Sequence, residues 1–491
     1  MRNVVLLRLP CYIDMVTPPL GIGYLLKALR GVDDIKPVFI DAHRDHIAES
    51  DLLSMIESLQ PAVLGIQVFS VDYPQMRSLV PQIRRICPDT VIVAGGHHPS
   101  ALPEHTLLEN PELDYVVRGE GEYALHALVE NQQQGTLTGK LDEIPNLVYR
   151  KDGETIFNPI KVVDINEFGA PDWEGLEPHK YPPVQHGTFH KSKRVVPIVT
   201  SRGCPYPCTF CAGHLVTGKK IRRRDIDSVV DEIKFLQSTY GFEEIIIEDE
   251  NFTFYKDHVI ALSEAMEARQ VKCHVSFPSG VRLDRLDDEV IHHLRRMGTY
   301  MVSVGIESGS AKTLRGMKKN WDLGMVKERI RALRKSGITV HGAFILGFSG
   351  ETKQDIKQSI SFSIESGVDT AYFGNYMPLP GSEDFDRLVD AGELKADQID
   401  WGAYTSYYGR LPYHPKEVSQ KELLSAVRWA TIRFYCRPVT MLKLLRRMSH
   451  LVFLRSLLSR VLNLFKGHGR NDTRHRADVP VGVGPLPAST T

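Results

Sequence analysis

Ser201-Arg202-Gly203-Cys204-Pro205-Tyr206-Pro207-Cys208-Thr209-Phe210-Cys211 follows directly on the apolar run Val195-Val196-Pro197-Ile198-Val199-Thr200. The run reads as a short buried strand. The cysteines then sit on the loop leaving that strand, where parallel α/β folds build their sites. Their spacing is Cys-x3-Cys-x2-Cys, and three thiolates so close together hold one soft metal centre. Four would close a structural zinc site or an ordinary cluster. Three leave one iron of a cubane without a protein ligand. Gly203, Pro205 and Pro207 bend the loop and keep it from continuing as a helix. The same three cysteines completed by His214, three residues past Cys211, make the alternative, a zinc site.

Downstream of the array, strand and helix patterns alternate. Ile226, Val229, Val230, Ile233 and Leu236 form a helical stripe. Strands are expected at 244–247, 273–277, 301–305, 340–346 and 370–374, with helices at 258–269, 287–297, 323–335 and 356–365. With the run before the array, this predicts a partial (β/α)6 TIM-type barrel over 193–385, open on one side for a large substrate. Polar motifs fall where those strands end. They are Glu248-Asp249-Glu250-Asn251-Phe252, Ser279-Gly280-Val281-Arg282, Gly305-Ile306-Glu307-Ser308-Gly309-Ser310 and Gly347-Phe348-Ser349-Gly350-Glu351-Thr352. Tyr376-Met377-Pro378-Leu379-Pro380-Gly381-Ser382 ends the last strand and reads equally as a stiffened turn.

Upstream, strands at 4–9, 38–41, 62–69, 91–94 and 114–117 alternate with helices at 24–30, 49–59 and 76–86. That pattern predicts an α/β domain over 1–135, a Rossmann-like, doubly wound parallel sheet with glycines at the carboxyl ends of its strands. Residues 136–192 carry turn signals and read as a linker with one hairpin, 146–149 paired with 155–158. Residues 172–181 read as a cover over the site or as plain linker. A helical C-terminal region spans 386–466, and 467–491, rich in Gly, Arg, Pro, Ser and Thr, reads as a disordered tail. Residues 423–466 lack Asp and Glu and thread leucines between Arg428, Arg433, Arg437, Lys443, Arg446, Arg447, Arg455 and Arg460. Such a stretch suits an anionic membrane surface or the open edge of the barrel.

The 491 residues allow two to four domains. Hydrophobic residues at 42%, charged residues at 24% and a net charge of +0 fit a soluble globular protein and give no sign of nucleic-acid binding. Cys11, Cys87, Cys273 and Cys436 are isolated, which argues against a disulfide framework and for a reducing cytoplasm. A strand-like start without a signal peptide, and no apolar run of about twenty residues, agree. The expected location is cytoplasmic, with a peripheral contact at the inner membrane face through 423–466.

The cysteine array, with Thr200-Ser201-Arg202-Gly203 before it and Phe210 before Cys211, resembles the signature of the radical S-adenosylmethionine (SAM) superfamily. The first domain resembles the cobalamin-binding domain that precedes many such cores. The matching pieces are Pro18-Pro19-Leu20-Gly21-Ile22-Gly23-Tyr24-Leu25, Gly95-Gly96-His97-His98-Pro99 and Arg118-Gly119-Glu120-Gly121-Glu122. The bland alternative for this domain is a Rossmann-like fold that binds nothing, or another nucleotide. The resemblance implies a 4Fe-4S cluster on Cys204, Cys208 and Cys211. It implies SAM at Phe210, Glu248, Asp249, Glu250, Arg282, Glu307, Ser308 and Gly347. It implies cobalamin at Pro18, Gly21, Ser70, Gly95, Gly96, His97, Gly119, Glu120 and Gly121. No catalytic residue is singled out.

What the resemblance implies about function is a cobalamin-dependent radical SAM methyltransferase. A flavodoxin or ferredoxin reduces the cluster, SAM is cleaved to a 5′-deoxyadenosyl radical, and an unactivated carbon of a lipid or secondary metabolite is methylated. One alternative is a cyclase or ring-rearranging enzyme without methyl transfer. Another, of a different class, is a non-catalytic cobalamin or metal sensor. A methylthiolating tRNA enzyme is disfavoured, because the first domain lacks a cysteine triple and the C-terminus shows no small β-barrel pattern. One departure stands out. Many cobalamin proteins place a histidine in Asp-x-His-x-x-Gly after the first strand, and here that loop has none. Asp41-Ala42-His43-Arg44-Asp45-His46 follows the second strand and ends in His46, so His43 reads as a surface residue and Asp41 as a strand end.

Overall fold

A computed structural model of the chain describes residues 1–11, 16–182, 190–395, 398–404, 411–438 and 440. Strands β1 (Arg2–Arg8), β2 (Ile35–Asp41), β3 (Val63–Gln67), β4 (Val91–Gly95) and β5 (Tyr115–Val117) pair in parallel in the order β2-β1-β3-β4-β5. The order reverses between β1 and β3, which leaves a crevice beyond the carboxyl ends of those strands. Val4, Val5, Leu6 and Leu7 are all at most 1% exposed, because helices cover both faces. Ile22, Leu26, Leu125 and Leu128 pack on the Val4–Leu6 side, and Leu52, Ile56, Met76 and Val80 on the Val5–Leu7 side. Each such burial contributes roughly 1.5–3 kcal/mol, which is why the strand reads as an unbroken apolar run.

The segment expected as linker joins this sheet. Strands β6 (Leu147–Lys151) and β7 (Glu154–Phe157) form the expected hairpin, and β6 pairs antiparallel with β5. Leu147 and Val148 are fully buried, and the open edge of β5 is the nearest place to bury them. Among the described residues, 158–182 bridge the two halves. Trp173 is 3% exposed and donates from Nε1 to Glu232 Oε1 at 2.8 Å in the helix Ile226–Tyr240. Tyr181 donates to Asp41 Oδ2 at 2.6 Å.

The second half begins with β8 (Val195–Ile198). A short antiparallel ribbon follows, β9 (Ser201–Arg202) with β10 (Arg222–Arg223). Then come β11 (Glu244–Ile247), β12 (His274–Phe277), β13 (Thr299–Glu307), β14 (Thr339–Leu346) and β15 (Thr370–Asn375). Strands β8 and β11 to β15 pair in sequential order, all parallel. This is the expected open barrel of six units. The connecting helices after β12, β13 and β14 start at side-chain caps. Asp287 accepts from Val290 N at 2.8 Å and Asp322 from Met325 N at 2.7 Å. Thr352 and Asp355 form a reciprocal capping box. One apolar cluster runs without a break from Val4 and Leu6 through Trp173 and Leu176 to Val196, Val304 and Phe344. The two sheets therefore share a core.

The open edge of the barrel is covered. The helix Gln420–Tyr435 buries Leu423, Val427, Ala430 and Phe434, spaced for one face. The Phe434 ring meets Phe373 of β15 edge-on at 6.2 Å, and Tyr435 Oη donates to Ala371 O at 2.8 Å. Up to residue 435 the basic stretch thus packs on the barrel. Residues 441–466, with Arg446 and Arg447, and the tail 467–491 lie outside the described residues. Among the described residues, no helix is long and apolar enough to cross a membrane.

Candidate active site

The crevice at the carboxyl ends of the first sheet is a cavity of about 490 Å³. Pro18, Gly21, Gly95, Gly96, His97, Gly119, Glu120 and Gly121 all line it. Gly96 is at φ +107, and a Cβ there would lie 2.9 Å from Val68 O, so only glycine keeps this floor flat. Sequence reasoning missed Gly65, Gln67 and Phe69, which also line it. The far wall belongs to the barrel, through Val199, Arg202, Val216, Thr217, Glu248 and Glu250. None of residues 172–181 lines it; that stretch is not a cover.

Two cobalamin expectations change. Ser70 does not line the cavity; its hydroxyl pairs with His98 Nδ1 at 3.1 Å. Glu120 faces the cavity, but its carboxylate is taken by Arg202, Arg222 and Val163 N. His43 is also corrected: it is 5% exposed, not on the surface, and its Nδ1 accepts from Cys11 N at 3.3 Å. It lies outside the cavity wall. The imidazole that does face the cavity is His97, stacked on Phe69 with ring centroids 4.9 Å apart.

The cysteine loop spans the ribbon, leaving β9 and returning at β10. Gly203 at φ +103 makes its neck, where a Cβ would sit 2.4 Å from Lys220 O. Gly203 N donates to Glu250 Oε2 at 3.1 Å and Cys204 N to Gly218 O at 3.2 Å. Thr209 N reaches Met317 O at 3.2 Å, tying the loop to the barrel. Gly213 N donates to Cys211 Sγ at 3.4 Å. Burial pushes the Cys204 and Cys208 thiols up, and Lys319 and Arg282 pull Cys208 back down. Cys211 is exposed. His214 hydrogen-bonds back to the Cys211 backbone, and burial lowers its pKa. Among the described residues no three His, Cys, Asp or Glu side chains are already drawn into a metal cage.

The SAM expectations divide. Glu248 lines the cavity and accepts from Ser279 Oγ. Asp249 points the other way: it is 1% exposed, and Thr200 N, Thr200 Oγ1 and Ser201 Oγ all donate to it at 2.6 Å. Burial raises it to about 6. It ties the exit of β8 to that of β11. Ser308 is fully buried, with Ser359 Oγ at 2.9 Å. Gly347, at φ +83, packs against Leu423 and donates to Glu351 Oε2 at 2.7 Å. These three are turned toward partners in the protein interior. Phe210 packs partly buried against the second apolar core. Arg282 lies 3.5 Å over the Tyr206 ring and pairs with Asp284 at 2.9 Å. Glu307 sits at φ +65, a strained value for a residue with a side chain, and pairs with Lys319 at 2.8 Å. Tyr206, Lys319 and Trp321, 4.5 Å below the Lys319 ammonium, are further residues of this cluster that sequence reasoning missed. No local pattern marks them, because they meet only through the fold.

Residues 12–129 match the family model of the B12 binding domain, and residues 198–363 that of the Radical SAM superfamily. The chain belongs to the cobalamin-binding radical SAM family. A family of enzymes leaves no place for the sensor alternative. The chain of this radical SAM enzyme is 28% identical to an uncharacterized methyltransferase of Pyrococcus horikoshii over 87% of its length and 89% of the relative's. It is 28% identical to the cytidylyl-2-hydroxyethylphosphonate methyltransferase of Streptomyces wedmorensis, over 78% and 80%. The anaerobic magnesium-protoporphyrin IX monomethyl ester cyclase of Cereibacter sphaeroides is 27% identical, over 86% and 67%. The solved structure of the radical SAM methyltransferase TsrM from Kitasatospora setae, with cobalamin and a 4Fe-4S cluster bound, superposes with TM-score 0.67 at 17% identity, over 88% and 85%. That likeness shows a shared fold.

The residues present fit the two groups. The donor set of the loop is three thiols with no carboxylate among them, suited to a soft iron–sulfur centre. The cavity is a glycine cradle that Cβ atoms would fill, and Gln67 Oε1 is buried there without a hydrogen-bond partner, fitted to accept from a ligand amide.

Proposed function

We propose that this enzyme is a cobalamin-dependent radical SAM methyltransferase acting on an unactivated carbon of a lipid-like or secondary metabolite. The observation that carries the reading is the cavity itself. Its floor is the glycine cradle of the first sheet, and its far wall comes from the strand ends that flank the cysteine loop. A methyl carrier on that floor and a radical source at that wall would face one substrate space. The names of the Pyrococcus and Streptomyces relatives support methyl transfer.

In this reading Cys204, Cys208 and Cys211 would hold a 4Fe-4S cluster. Glu248, Arg282, Glu307 and Lys319 supply charges for the amino-acid part of SAM. When bound, the cluster and SAM supply one-electron cleavage of a carbon–sulfur bond, and cobalamin supplies a methyl carrier. The chain orients these groups and excludes water. The Tyr206 ring under Arg282 fixes that guanidinium. A flavodoxin or ferredoxin is the proposed reductant.

The cyclase relative supports a second reading, ring formation without methyl transfer. The two differ under methyl-deuterated SAM. The reconstituted holoenzyme would be given a metabolite and lipid extract from a strain lacking the protein. A deuterated methyl group in a product that grows with enzyme is the expected result. A product that loses hydrogen and gains no label would establish the cyclase reading instead.

A further inference from the structure

The three cysteines lie within residues 203–221, and the two ends of that segment are the ribbon strands β9 and β10. The ribbon sets Arg222 directly opposite Arg202. Like charges opposed across a strand pair destabilise it, and a ribbon this short has little else to hold it. The anions that relieve the pair come from the turn after β5. Arg202 Nη1 donates to Glu120 Oε1 at 2.9 Å and to Glu122 Oε1 at 2.7 Å. Arg222 takes both oxygens of Glu120, at 2.8 and 2.9 Å. The glutamate side chains are 4% exposed and those of the arginines 10% and 15%. Tyr24 lies under the Arg202 guanidinium at 4.2 Å. The turn also touches the cysteine loop through its backbone. Gly119 is at φ +68, and a Cβ there would lie 3.5 Å from Val216 O and 3.6 Å from Leu215 O.

We propose that Glu120 and Glu122 are positioning residues for the cysteine loop: they neutralise the opposed arginines, close the neck of the loop, and hold it in register with the first domain. The first domain then does more than carry its own cofactor; it completes the fold of the cluster loop. This rests on the reading of that loop as cluster-bearing.

The test uses the full chain reconstituted with iron and sulfide. The double variant Glu120→Gln/Glu122→Gln keeps the side-chain shapes and removes both charges. Iron should pass from it to a chelator at least about tenfold faster than from wild type, because buried arginines left without their anions destabilise the neck. The single Glu122→Gln, which leaves both arginines paired to Glu120, should give an intermediate rate. Adding Arg222→Met to the double variant removes the opposed charge and should recover at least about fivefold of the loss, a coupling that shape alone does not produce. Far-ultraviolet dichroism matching wild type confirms that each variant is folded. A wild-type chelation rate in the double variant, or no recovery on adding Arg222→Met, overturns the proposal. Wild type that takes up no iron and sulfide overturns the cluster reading and this inference with it, and is told apart by failing before any variant is compared.

Discussion

His98 shows how one residue ties the first sheet to the rest. It is fully buried, stacked on Tyr73 at 4.2 Å and edge-on to Trp401 at 4.8 Å, and its Nδ1 meets Ser70 Oγ. Burial, with His105 nearby, lowers its pKa to about 3. The unfolded chain binds this proton near pH 6.5, and the folded protein does not until far lower pH. Below pH 6.5 the unfolded state therefore holds more protons, and stability falls as pH falls toward 3. At pH 5 this one group lowers stability by about 2 kcal/mol relative to pH 8. The expected result is a Tm that declines from pH 7 to pH 5 less steeply in His98→Phe, which keeps the ring stack, than in wild type. Equal slopes would mean that other groups set the decline.

At the scale of elements, the helix Gln420–Tyr435 decides how the barrel is finished. Its capping box, Ser419 with Glu422, fixes its start, and its buried face closes over β15. Leu423 lies against Gly347, just past the end of β14. Phe434 is fully buried between Phe373 and the helix body. Phe434→Ala should cost about 3–5 kcal/mol of unfolding free energy, the usual loss for a buried aromatic, measured by urea titration of the full chain. Phe434→Leu should recover most of it. A loss under about 1 kcal/mol would show that the helix is an appendage and not part of the barrel's core.

At the scale of the molecule, the two sheets share a core and a cavity, and His97 is the one imidazole among the described residues that line it. That ring is held nearly parallel to Phe69, at 19° between planes. The full chain loaded with cobalamin and reduced to Co(II) should show no nitrogen superhyperfine splitting from a protein ligand in its electron paramagnetic resonance. Splitting that disappears in His97→Ala would show that the ring turns from Phe69 to the metal.

The sequence by itself determined what is local. Cysteine spacing, glycines at strand ends and the alternation of apolar runs depend on neighbours in the chain, and they gave both sheets, the cysteine loop and most of the cavity floor. The tertiary structure decided which way neighbouring polar side chains face. Glu248, Asp249 and Glu250 are consecutive, yet Asp249 turns inward to Thr200 and Ser201 while the other two face the cavity, because consecutive positions leaving a strand point to opposite sides. Ser308 and Gly347 were drawn inward by Ser359 and Leu423, partners about 50 and 76 residues away that no window of sequence contains. The hairpin at 147–157 joined the first sheet because an unpaired strand edge and buried apolar residues both needed it. Glu120 belongs to the same class: read alone it is a cofactor contact, and only the fold shows that its carboxylate pairs with Arg222, set against Arg202 in the ribbon.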